Sequence, residues 1–371
     1  MIKVGITGSN GFIGSHLCNK LTLRVQKFEI NQLKREWFQN KSKLDLFVSN
    51  CDVIVHLAGI NRNINDRVIY DTNLLLANEL INSFNRTSFN GLLLFSSSIQ
   101  EERNNAFGNS KKAASQLFSN WVEGTKGKFK SLIIPNVFGP FGRPFYNSVI
   151  STFCHQLVNN LTPNVISNAS LNLVYIDDLV NNIIKLIEYE SEEIDFIKLT
   201  QTFKVSEILD LLLMFKFTYF DNGHIPILNS KFELNLFNTF RSYIDIKNHF
   251  PIKYKNNVDV RGNFVEIMRL KLGGQISLST TKKGVTRGNH LHTRKIERFI
   301  VVQGKARIQL RKIGTLEIFE YFLCGDEPAY IDMPIYYSHN ITNIGEEDLL
   351  TLFWINEFYD PKDPDTYFEK V

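Results

Sequence analysis

The stretch Thr7-Gly8-Ser9-Asn10-Gly11-Phe12-Ile13-Gly14 decides the fold of the first part of the chain. An apolar run at residues 2–6 precedes it and predicts a buried strand, and residues 16–21 after it follow a helical pattern. Glycines let a backbone approach a pyrophosphate closely, and the N-terminus of the following helix attracts the negative charge. Strand, glycine turn and helix in this order predict a dinucleotide-binding unit. Its cofactor contacts would come from Gly8, Gly11, Phe12, Ile13 and Gly14.

Strands and helices continue to alternate downstream of this unit. Residues 52–59 form an apolar run that ends in a glycine, and residues 66–84 form an amphipathic segment. Residues 92–95 form another apolar run, followed by three serines and then by a helical pattern at residues 110–122. This alternation predicts an α/β fold with a doubly wound parallel sheet of the Rossmann type.

These landmarks resemble the extended short-chain dehydrogenases/reductases that act on sugar nucleotides. The resemblance rests on the glycine stretch, Asp52, His56-Leu57-Ala58-Gly59, Asn73, the triple serine, Lys111 and Pro135-Asn136-Val137-Phe138-Gly139-Pro140. It implies that Asp52 contacts the adenine, that Lys111 contacts the nicotinamide ribose and that Asn136 lies at the edge of the substrate pocket. The resemblance also implies cofactor contacts from Ala58, Gly59 and Asn73, catalytic roles for Ser97, Ser98 and Lys111, and substrate contacts from Arg143, Tyr146 and Asn147. The alternative for Asn73 is that it faces the packed interior of its helix.

One departure from that family concerns its general acid. The family uses the tyrosine of Tyr-x-x-x-Lys, but this chain has Phe107 four residues before Lys111. Phenylalanine has no proton to give, and general acid catalysis contributes ~10²- to 10⁴-fold to a rate. We therefore expect ketone reduction to be slow unless Ser97, Ser98 or Tyr146 substitutes.

The residues after the second strand indicate which coenzyme would bind. We expect that strand to end near Ile30, where an acidic residue would favour NAD and a basic residue NADP. Lys34 and Arg35 follow, whereas Glu29 comes slightly early. The basic neighbours favour NADP(H).

Four residues near the other end of the chain suggest a metal site. His290 and His292 alternate as on one face of a strand, and Glu297 can return on the next strand. His339 can supply a fourth ligand. Imidazoles with a carboxylate suit zinc, with iron, manganese or nickel possible on the same ligands. The alternative is that these are ordinary core or surface histidines.

This region also resembles the cupin superfamily. The spacing Gly284-x5-His290-x-His292-x4-Glu297-x6-Gly304 follows the first cupin motif, and Tyr336 stands where the second motif usually has a glycine. The resemblance implies an all-β jelly-roll barrel. Stretches before the motif look like the dTDP-sugar 3,5-epimerase cupins, which implies diphosphate contacts from Arg261 and Arg287. Tyr336, Tyr337 and Glu327 are candidates for proton transfer because they lie near the ligands in sequence.

Over its whole length the chain resembles bifunctional capsule-synthesis enzymes of the CapF type, with added matches at residues 145–150, 173–178, 259–266 and 363–368. The resemblance implies a reductase domain at 1–250 and a cupin domain at 251–371. The cupin domain would epimerise C3 of UDP-2-acetamido-2,6-dideoxy-4-hexulose, and the reductase domain would reduce its C4 ketone with NADPH. Two alternatives remain open, namely a C3 epimerase with a non-reducing first domain and a non-catalytic sugar-nucleotide-binding scaffold.

The composition is compatible with this reading. With 371 residues the chain exceeds the usual size of one core, so two domains are expected. The net charge of +4 is spread along the chain without a basic block, so a nucleic-acid partner is not expected. The cysteines lack CxxC spacing, and neither a leader nor an 18-residue apolar run is visible. We expect a cytoplasmic homodimer without a membrane partner that binds a UDP-linked deoxy amino sugar.

Overall fold

The computed structural model describes residues 1–190, 193–254, 256–259, 262–265 and 273–371, and it describes side chains outside 255–272. Two compact units make up the chain. The first contains Met1–Phe138 and Ala169–Lys204, and the second contains Gly139–Asn168 and Val205–Val371. The domain boundary predicted at residues 250 and 251 stays a prediction, because packing units need not follow the boundaries of sequence domains.

The helices of the described residues are, in chain order, α1 (Phe12–Thr22), α2 (Lys41–Ser49), α3 (Asp66–Thr87), α4 (Ala106–Glu123), α5 (Val149–Val158), α6 (Ile176–Glu188), α7 (Val205–Phe215), α8 (Lys231–Arg241) and α9 (Ile246–His249). The strands of the first unit are β1 (Ile2–Thr7), β2 (Phe28–Leu33), β3 (Val53–His56), β4 (Leu92–Ser98), β5 (Lys128–Ile134), β6 (Asn136–Phe138), β7 (Ser170–Tyr175) and β8 (Gln201–Lys204). Those of the second unit are β9 (Ile252–Lys253), β10 (Asn256–Asp259), β11 (Gly262–Val265), β12 (Gln275–Thr281), β13 (Thr286–Leu291), β14 (Glu297–Gln303), β15 (Lys305–Lys312), β16 (Ile318–Cys324), β17 (Ala329–Met333), β18 (Tyr337–Asn343), β19 (Leu349–Ile355) and β20 (Tyr367–Phe368).

The first unit is built on a five-stranded sheet in the order β2-β1-β3-β4-β5, and every neighbouring pair is parallel. This confirms the predicted parallel sheet. On one face, the apolar sides of α2, α3 and α4 bury Phe47, Leu80 and Phe118 against strand residues such as Ile54 and Leu93. Strands with apolar residues on both faces are typical of a sheet covered by helices on both sides.

Thr7 and His56 tie together the carboxyl ends of β1 and β3. Thr7 Oγ1 lies 2.7 Å from His56 Nδ1 and accepts hydrogen bonds from the backbone N–H groups of Leu57 and Ala58 at 3.2 and 3.1 Å. Burial, with a smaller contribution from Lys111, lowers the pKa of His56 to about 3. The imidazole therefore stays neutral and holds the loop after β3 beside the glycine turn.

The second unit contains two five-stranded antiparallel sheets. Their orders are β12-β19-β14-β17-β9 and β16-β15-β18-β13-β20. The sheets share one apolar core, to which one contributes Phe299 and Ile331 and the other contributes Ile308, Leu310 and Ile341. These strands are consistent with the predicted all-β C-terminal part, whereas the jelly-roll topology stays a prediction.

A buried charged network joins helical segments to strands within the second unit. The Arg298 guanidinium donates to both carboxylate oxygens of Asp332 at 2.7 and 2.9 Å, and the Tyr219 hydroxyl donates to the same carboxylate at 2.5 Å. Arg241 of α8 donates to the carbonyl of Met333 at 2.9 Å. Every charge in this network has a partner, as buried charges require.

In the part of the chain that the structure describes, none of the helices combines the length and apolar character that a membrane span needs.

Candidate coenzyme and metal sites

A cavity of about 690 Å³ lies at the carboxyl ends of β1, β2 and β3. Its lining includes the predicted cofactor residues Gly8, Gly11, Lys34, Ala58 and Gly59. Phe12 and Ile13 are the first residues of α1, whose N-terminus follows the turn.

The glycine turn has no room for larger residues. Gly8 has a φ of +70°, and a Cβ atom on Gly14 would lie 2.2 Å from the carbonyl oxygen of Gly8. Backbone N–H groups at a helix start can thus come close to a phosphate. The residues present fit a dinucleotide.

Basic side chains follow β2 at the rim of this cavity. The strand ends at Leu33 and not near Ile30, so Lys34 and Arg35 take the position that was expected for the ribose contact. The Lys34 ammonium lies 5.8 Å from the ring centroid of Trp37. Glu36 also lines the cavity. The charges at this rim are mixed, but the cations Lys34 and Arg35 come first after the strand. Two cations there suit the 2′-phosphate of NADP.

The predicted adenine contact of Asp52 is wrong. Its carboxylate accepts a hydrogen bond from the backbone N–H of Lys3 at 2.8 Å. Lys3 lies at the start of β1, whereas the glycine turn follows the other end. At about 3.3 Å per residue, four or five positions separate the two ends by roughly 15 Å. Asp52 therefore lies at the amino ends of the parallel strands, away from the cavity.

Asn73 positions the loop after β3 and does not offer its amide to a cofactor. Its Oδ1 accepts from the Ile60 N–H at 2.8 Å, and its Nδ2 donates to the Ile60 carbonyl and to Ser110 Oγ, both at 2.9 Å. The side chain is buried. The predicted direct contact is therefore corrected to a positioning role.

The serines at the end of β4 differ in their availability. The buried Ser97 hydroxyl donates to the Glu101 carboxylate, so it is not free to polarise a substrate carbonyl as predicted. Ser98 accepts an N–H from Gln100 at 3.2 Å and keeps its hydroxyl hydrogen for another acceptor. Ser98 is therefore the better placed of the two predicted serines.

Lys111 is buried beneath this end of the sheet. Its ammonium donates to the Ser96 carbonyl at 2.7 Å and lies 4.7 Å from the ring centroid of Phe95. It lies 5.7 Å from the ring centroid of Phe107. Burial lowers the pKa of Lys111 to about 8, and Glu101 opposes this shift. The lysine is thus next to the residue that replaces the family tyrosine, but no phenol is there to relay a proton.

The candidate substrate residues belong to both units of the chain. Asn136 is exposed in β6 and donates to the Asn172 carbonyl at 3.3 Å. The Arg143 guanidinium lies 5.2 Å from the Tyr146 ring centroid, in an exposed segment that also contains Asn147. Arg287 is exposed on β13, and Arg261 lies outside the described residues. Their substrate roles stay predictions.

The four predicted metal ligands come together. His290 lies on β13 and His292 just beyond it, while Glu297 begins β14 and His339 lies on β18. The candidate ligand atoms all lie within 4.8 Å of one another. We call this set the histidine cluster.

The cluster is electrostatically coupled. Burial together with His339 and His292 lowers the pKa of His290 to about 4. Burial alone would raise the pKa of Glu297, but its interactions with His292 and His339 hold that pKa well below its usual range. Burial would lower the pKa of His292, but Glu297 outweighs it and raises that pKa. The carboxylate is therefore ionised and surrounded by imidazoles.

The donor set fits a divalent cation. His339 Nε2 lies 3.1 Å from Glu297 Oε2, yet it is a buried nitrogen without a hydrogen-bond partner among the described residues. A divalent cation held by these four residues would accept the lone pairs of the imidazole nitrogens and the charge of the carboxylate.

Asp365 supports the cluster from the opposite side of His292. Its backbone carbonyl accepts from His292 Nδ1 at 2.6 Å, which leaves Nε2 to face Glu297 at 3.2 Å. Its buried carboxylate accepts N–H groups from Thr293, Arg294 and Lys295 at 2.9–3.2 Å. One residue thus holds both a ligand tautomer and the turn between the ligands.

Asp365→Asn should weaken metal binding by about 10- to 100-fold, because the carboxylate holds the turn that places His292 and Glu297. The amide loses the negative charge that gathers the turn N–H groups. Competition with a chelator measures the affinity, and Asp360→Asn, an exposed neighbour, is the control. Unchanged affinity in Asp365→Asn would contradict this role.

Three residues predicted for proton transfer are not equivalent. Tyr336 lies beside the cluster, where its N–H donates to the His292 carbonyl at 2.8 Å, and its side chain is only 2% exposed. Glu327 is exposed, and its carboxylate pairs with the Lys253 ammonium at 2.8 Å. It lies just before β17, whose other end, at Met333, is the end that pairs with the ligand Glu297. The prediction for Glu327 is therefore wrong, whereas the role of Tyr336 stays a prediction. Tyr337 is half-buried near His339, and burial raises its pKa to about 12.

A glycine-turn cavity at the end of a parallel sheet defines a nucleotide-binding enzyme domain of the Rossmann type. Residues 4–196 match the NAD dependent epimerase/dehydratase family, and residues 257–367 match the polysaccharide biosynthesis C-terminal domain. The chain belongs to the NAD dependent epimerase/dehydratase family and is a capsular polysaccharide enzyme of the CapF type.

Three known proteins illustrate the similarity. The UDP-2-acetamido-2,6-beta-L-arabino-hexul-4-ose reductase of Pseudomonas aeruginosa is 32% identical over 99% of this chain and 98% of its own length. The capsular polysaccharide assembling protein CapF from Staphylococcus aureus is 34% identical over 100% of both chains, with a TM-score of 0.64. The UDP-glucose 4-epimerase of Thermotoga maritima is 15% identical, and the match covers 65% of this chain and 98% of the epimerase chain with a TM-score of 0.55. At this level of identity the likeness shows the fold alone.

Sequence reasoning missed Asp365 and Lys312. Asp365 lies in a stretch that had only been matched to relatives, and nothing local indicates that it meets a turn 72 positions earlier. Lys312 continues the alternation of Ile308 and Leu310 along β15, and this pattern predicts that it shares their face. The alternation of buried residues along β15 could therefore have indicated that Lys312 faces the core.

Proposed function

We propose that this enzyme epimerises C3 of UDP-2-acetamido-2,6-dideoxy-4-hexulose at the histidine cluster, in a cupin-type domain. The observation that carries the proposal is the buried set of three imidazoles and one carboxylate within 4.8 Å. The similarity to a UDP-2-acetamido-2,6-beta-L-arabino-hexul-4-ose reductase supports a 4-keto UDP-sugar as the substrate.

The chemistry of the substrate agrees with this site. The C3 proton is acidic because the adjacent C4 carbonyl can take up the charge when the proton leaves. A divalent cation held by His290, His292, Glu297 and His339 would stabilise negative charge on the C4 oxygen. Tyr337, a neutral phenol on the inner face near the cluster, can return a proton to C3. Arg287 can bind the diphosphate through its guanidinium.

We also propose that the first unit binds NADPH and reduces the C4 ketone only slowly. NADPH, which the cavity residues Gly8, Gly11, Lys34 and Arg35 would hold, supplies a hydride when bound. Ser98 can donate a hydrogen bond to the C4 oxygen. A serine hydroxyl is a weak acid, and Phe107 cannot supply the missing proton.

A second candidate is a C3 epimerase whose first unit binds the coenzyme without reducing the substrate. The presence of Phe107 at the position of the family acid favours it. The non-catalytic scaffold is disfavoured by the intact set of three imidazoles and one carboxylate, because a metal held mostly by histidines is typical of catalytic sites.

One experiment tests these proposals together. The purified protein is incubated with the 4-keto UDP-sugar in D₂O, with NADPH, with NADH or without coenzyme. We expect deuterium at C3 in all three mixtures and slow loss of the reduced-nicotinamide absorbance with NADPH. Absence of exchange with added zinc would overturn the epimerase proposal, and complete absence of oxidation would leave the non-reducing candidate.

A further inference from the structure

Lys312 lies on the inner face of β15, beside the histidine cluster. Ile308 and Leu310 precede it on the same face and are buried in the shared core. Leu310 pairs with the ligand His339, and Lys312 pairs with Tyr337 two positions along. Diagonal neighbours on adjacent strands lie ~7–8 Å apart, which is within reach of a long side chain. The ammonium can therefore approach whatever occupies the cluster.

The surroundings of Lys312 are apolar. Its ammonium lies 3.5 Å from the ring centroid of Phe141. Among the residues that the structure describes, it pairs with no carboxylate, and burial lowers its pKa. A desolvated ammonium costs free energy unless an anion or an aromatic face compensates. The aromatic face is present here, so the remaining N–H groups are available to an anion.

Two strained aromatic residues form the wall next to this lysine. Phe141 and Tyr336 have φ values of +64° and +61°, and their rings meet edge to face at 6.5 Å. A left-handed conformation is unfavourable for residues that carry a Cβ atom. Tyr336 N–H donates to the His292 carbonyl at 2.8 Å, so the wall is joined to a ligand of the cluster. Strain of this kind is concentrated at functional sites.

We propose that Lys312 is a further catalytic residue, whose ammonium contacts the substrate and stabilises the charge on the C4 oxygen during C3 epimerisation. This inference rests on the proposed function. A basic side chain removes the C3 proton, and the C–H electron pair forms a C3–C4 double bond while the carbonyl π electrons move to the oxygen. Return of a proton to the other face of C3 reverses the electron flow and restores the ketone. Lys312 forms and breaks no covalent bond in this sequence.

A competing explanation is that the Lys312 ammonium binds the diphosphate of the same substrate. The two roles affect different kinetic constants. A diphosphate contact is present before and during the reaction, so its loss raises KM. A contact with the developing oxyanion lowers kcat, because its strength increases only as the proton leaves C3.

The test compares Lys312→Met, Lys312→Arg and Lys305→Met with the wild-type enzyme. Lys305 is the matched control, because it begins the same strand but is exposed on the outer face. The readouts are kcat and KM of deuterium exchange at C3, bound metal and the melting temperature. We expect Lys312→Met to lose about 10²- to 10³-fold in kcat, as for one oxyanion donor, with KM, metal and melting unchanged. Lys312→Arg should recover part of the rate because it keeps the charge.

Several outcomes would overturn the inference. One is a Lys312→Met enzyme with wild-type kcat, and another is a raised KM with kcat unchanged, which would assign Lys312 to the diphosphate. Loss of metal or of folding in Lys312→Met, together with an inactive but folded Lys312→Arg, would indicate a packing role. Failure of the wild-type enzyme to exchange would instead overturn the proposed function itself.

Discussion

Replacing Glu297 by Gln is expected to remove bound metal and C3 exchange together. Glu297 is the only anion in the histidine cluster, and its Oε2 lies 3.2 Å from His292 Nε2 and 3.1 Å from His339 Nε2. The amide keeps the shape but loses the charge that attracts a cation. We expect metal affinity to fall by more than the roughly 100-fold upper range for residues outside the ligand set. Exchange at C3 should become undetectable.

Metal content after dialysis and deuterium incorporation in D₂O are the two measurements. Glu327→Gln is the matched control, because it changes another glutamate of the same unit that is exposed and lies away from the cluster. Removing metal from the wild-type enzyme with a chelator should reproduce the loss, and added zinc should reverse it. Full exchange by a metal-free Glu297→Gln enzyme would show that the cluster is not the epimerisation site.

Replacing Phe107 by Tyr is expected to raise NADPH-dependent ketone reduction by about 10²- to 10⁴-fold, which is the usual contribution of a general acid. The Lys111 ammonium lies 5.7 Å from the ring centroid of Phe107, so a hydroxyl on that ring would be near a positive charge. The charge stabilises the phenolate and so lowers the pKa of the restored tyrosine. The side chain is changed by one oxygen atom, and the backbone of α4 need not move.

Loss of the reduced-nicotinamide absorbance with the 4-keto UDP-sugar measures this gain. Phe107→Leu is the control for a change of shape without a proton donor, and it should show no increase. Adding Lys111→Met to Phe107→Tyr should remove most of the gain. If Phe107→Tyr gives no increase although it still binds NADPH, the pocket that aligns ketone and coenzyme has also changed.

Local patterns in the sequence predicted the elements that depend on neighbouring residues. The glycine stretch requires close backbone approach at Gly8 and Gly14, and this requirement is visible in eight consecutive residues. His290 and His292 share a face because alternate residues of a strand do so. A short turn after His292 was enough to predict that Glu297, on the next strand, joins the two histidines. These predictions used distances of only a few positions along the chain.

Errors arose where a motif was matched without asking which end of a strand it occupies. Asp52 precedes the apolar run of β3, and in a parallel sheet the residue before a strand lies opposite the ligand edge. The sequence contained this information. Glu327 was chosen because it lies near the ligand His339 in sequence, although the intervening strand β17 carries it to the other end of the sheet.

Other features could not be predicted because they join distant segments. The burial of Tyr336 depends on its contact with Phe141, almost 200 positions earlier in the chain. The pKa of Lys111 depends on how completely the sheet end and α4 exclude water. Spacing and composition carry no measure of either.

The carboxylate of Asp365 and the turn of residues 293–295 are 72 positions apart at Thr293. Before these two segments meet, His290 and His292 are flexible and cannot hold a cation in a fixed geometry. The entropic cost of closing the long loop between the segments has still to be overcome. Metal loading should therefore come after the sheets of the second unit have assembled. A bound ion would then act as a check on assembly: copies in which this closure has failed would hold it weakly, so the metal occupancy of purified protein would report the fraction that is correctly folded.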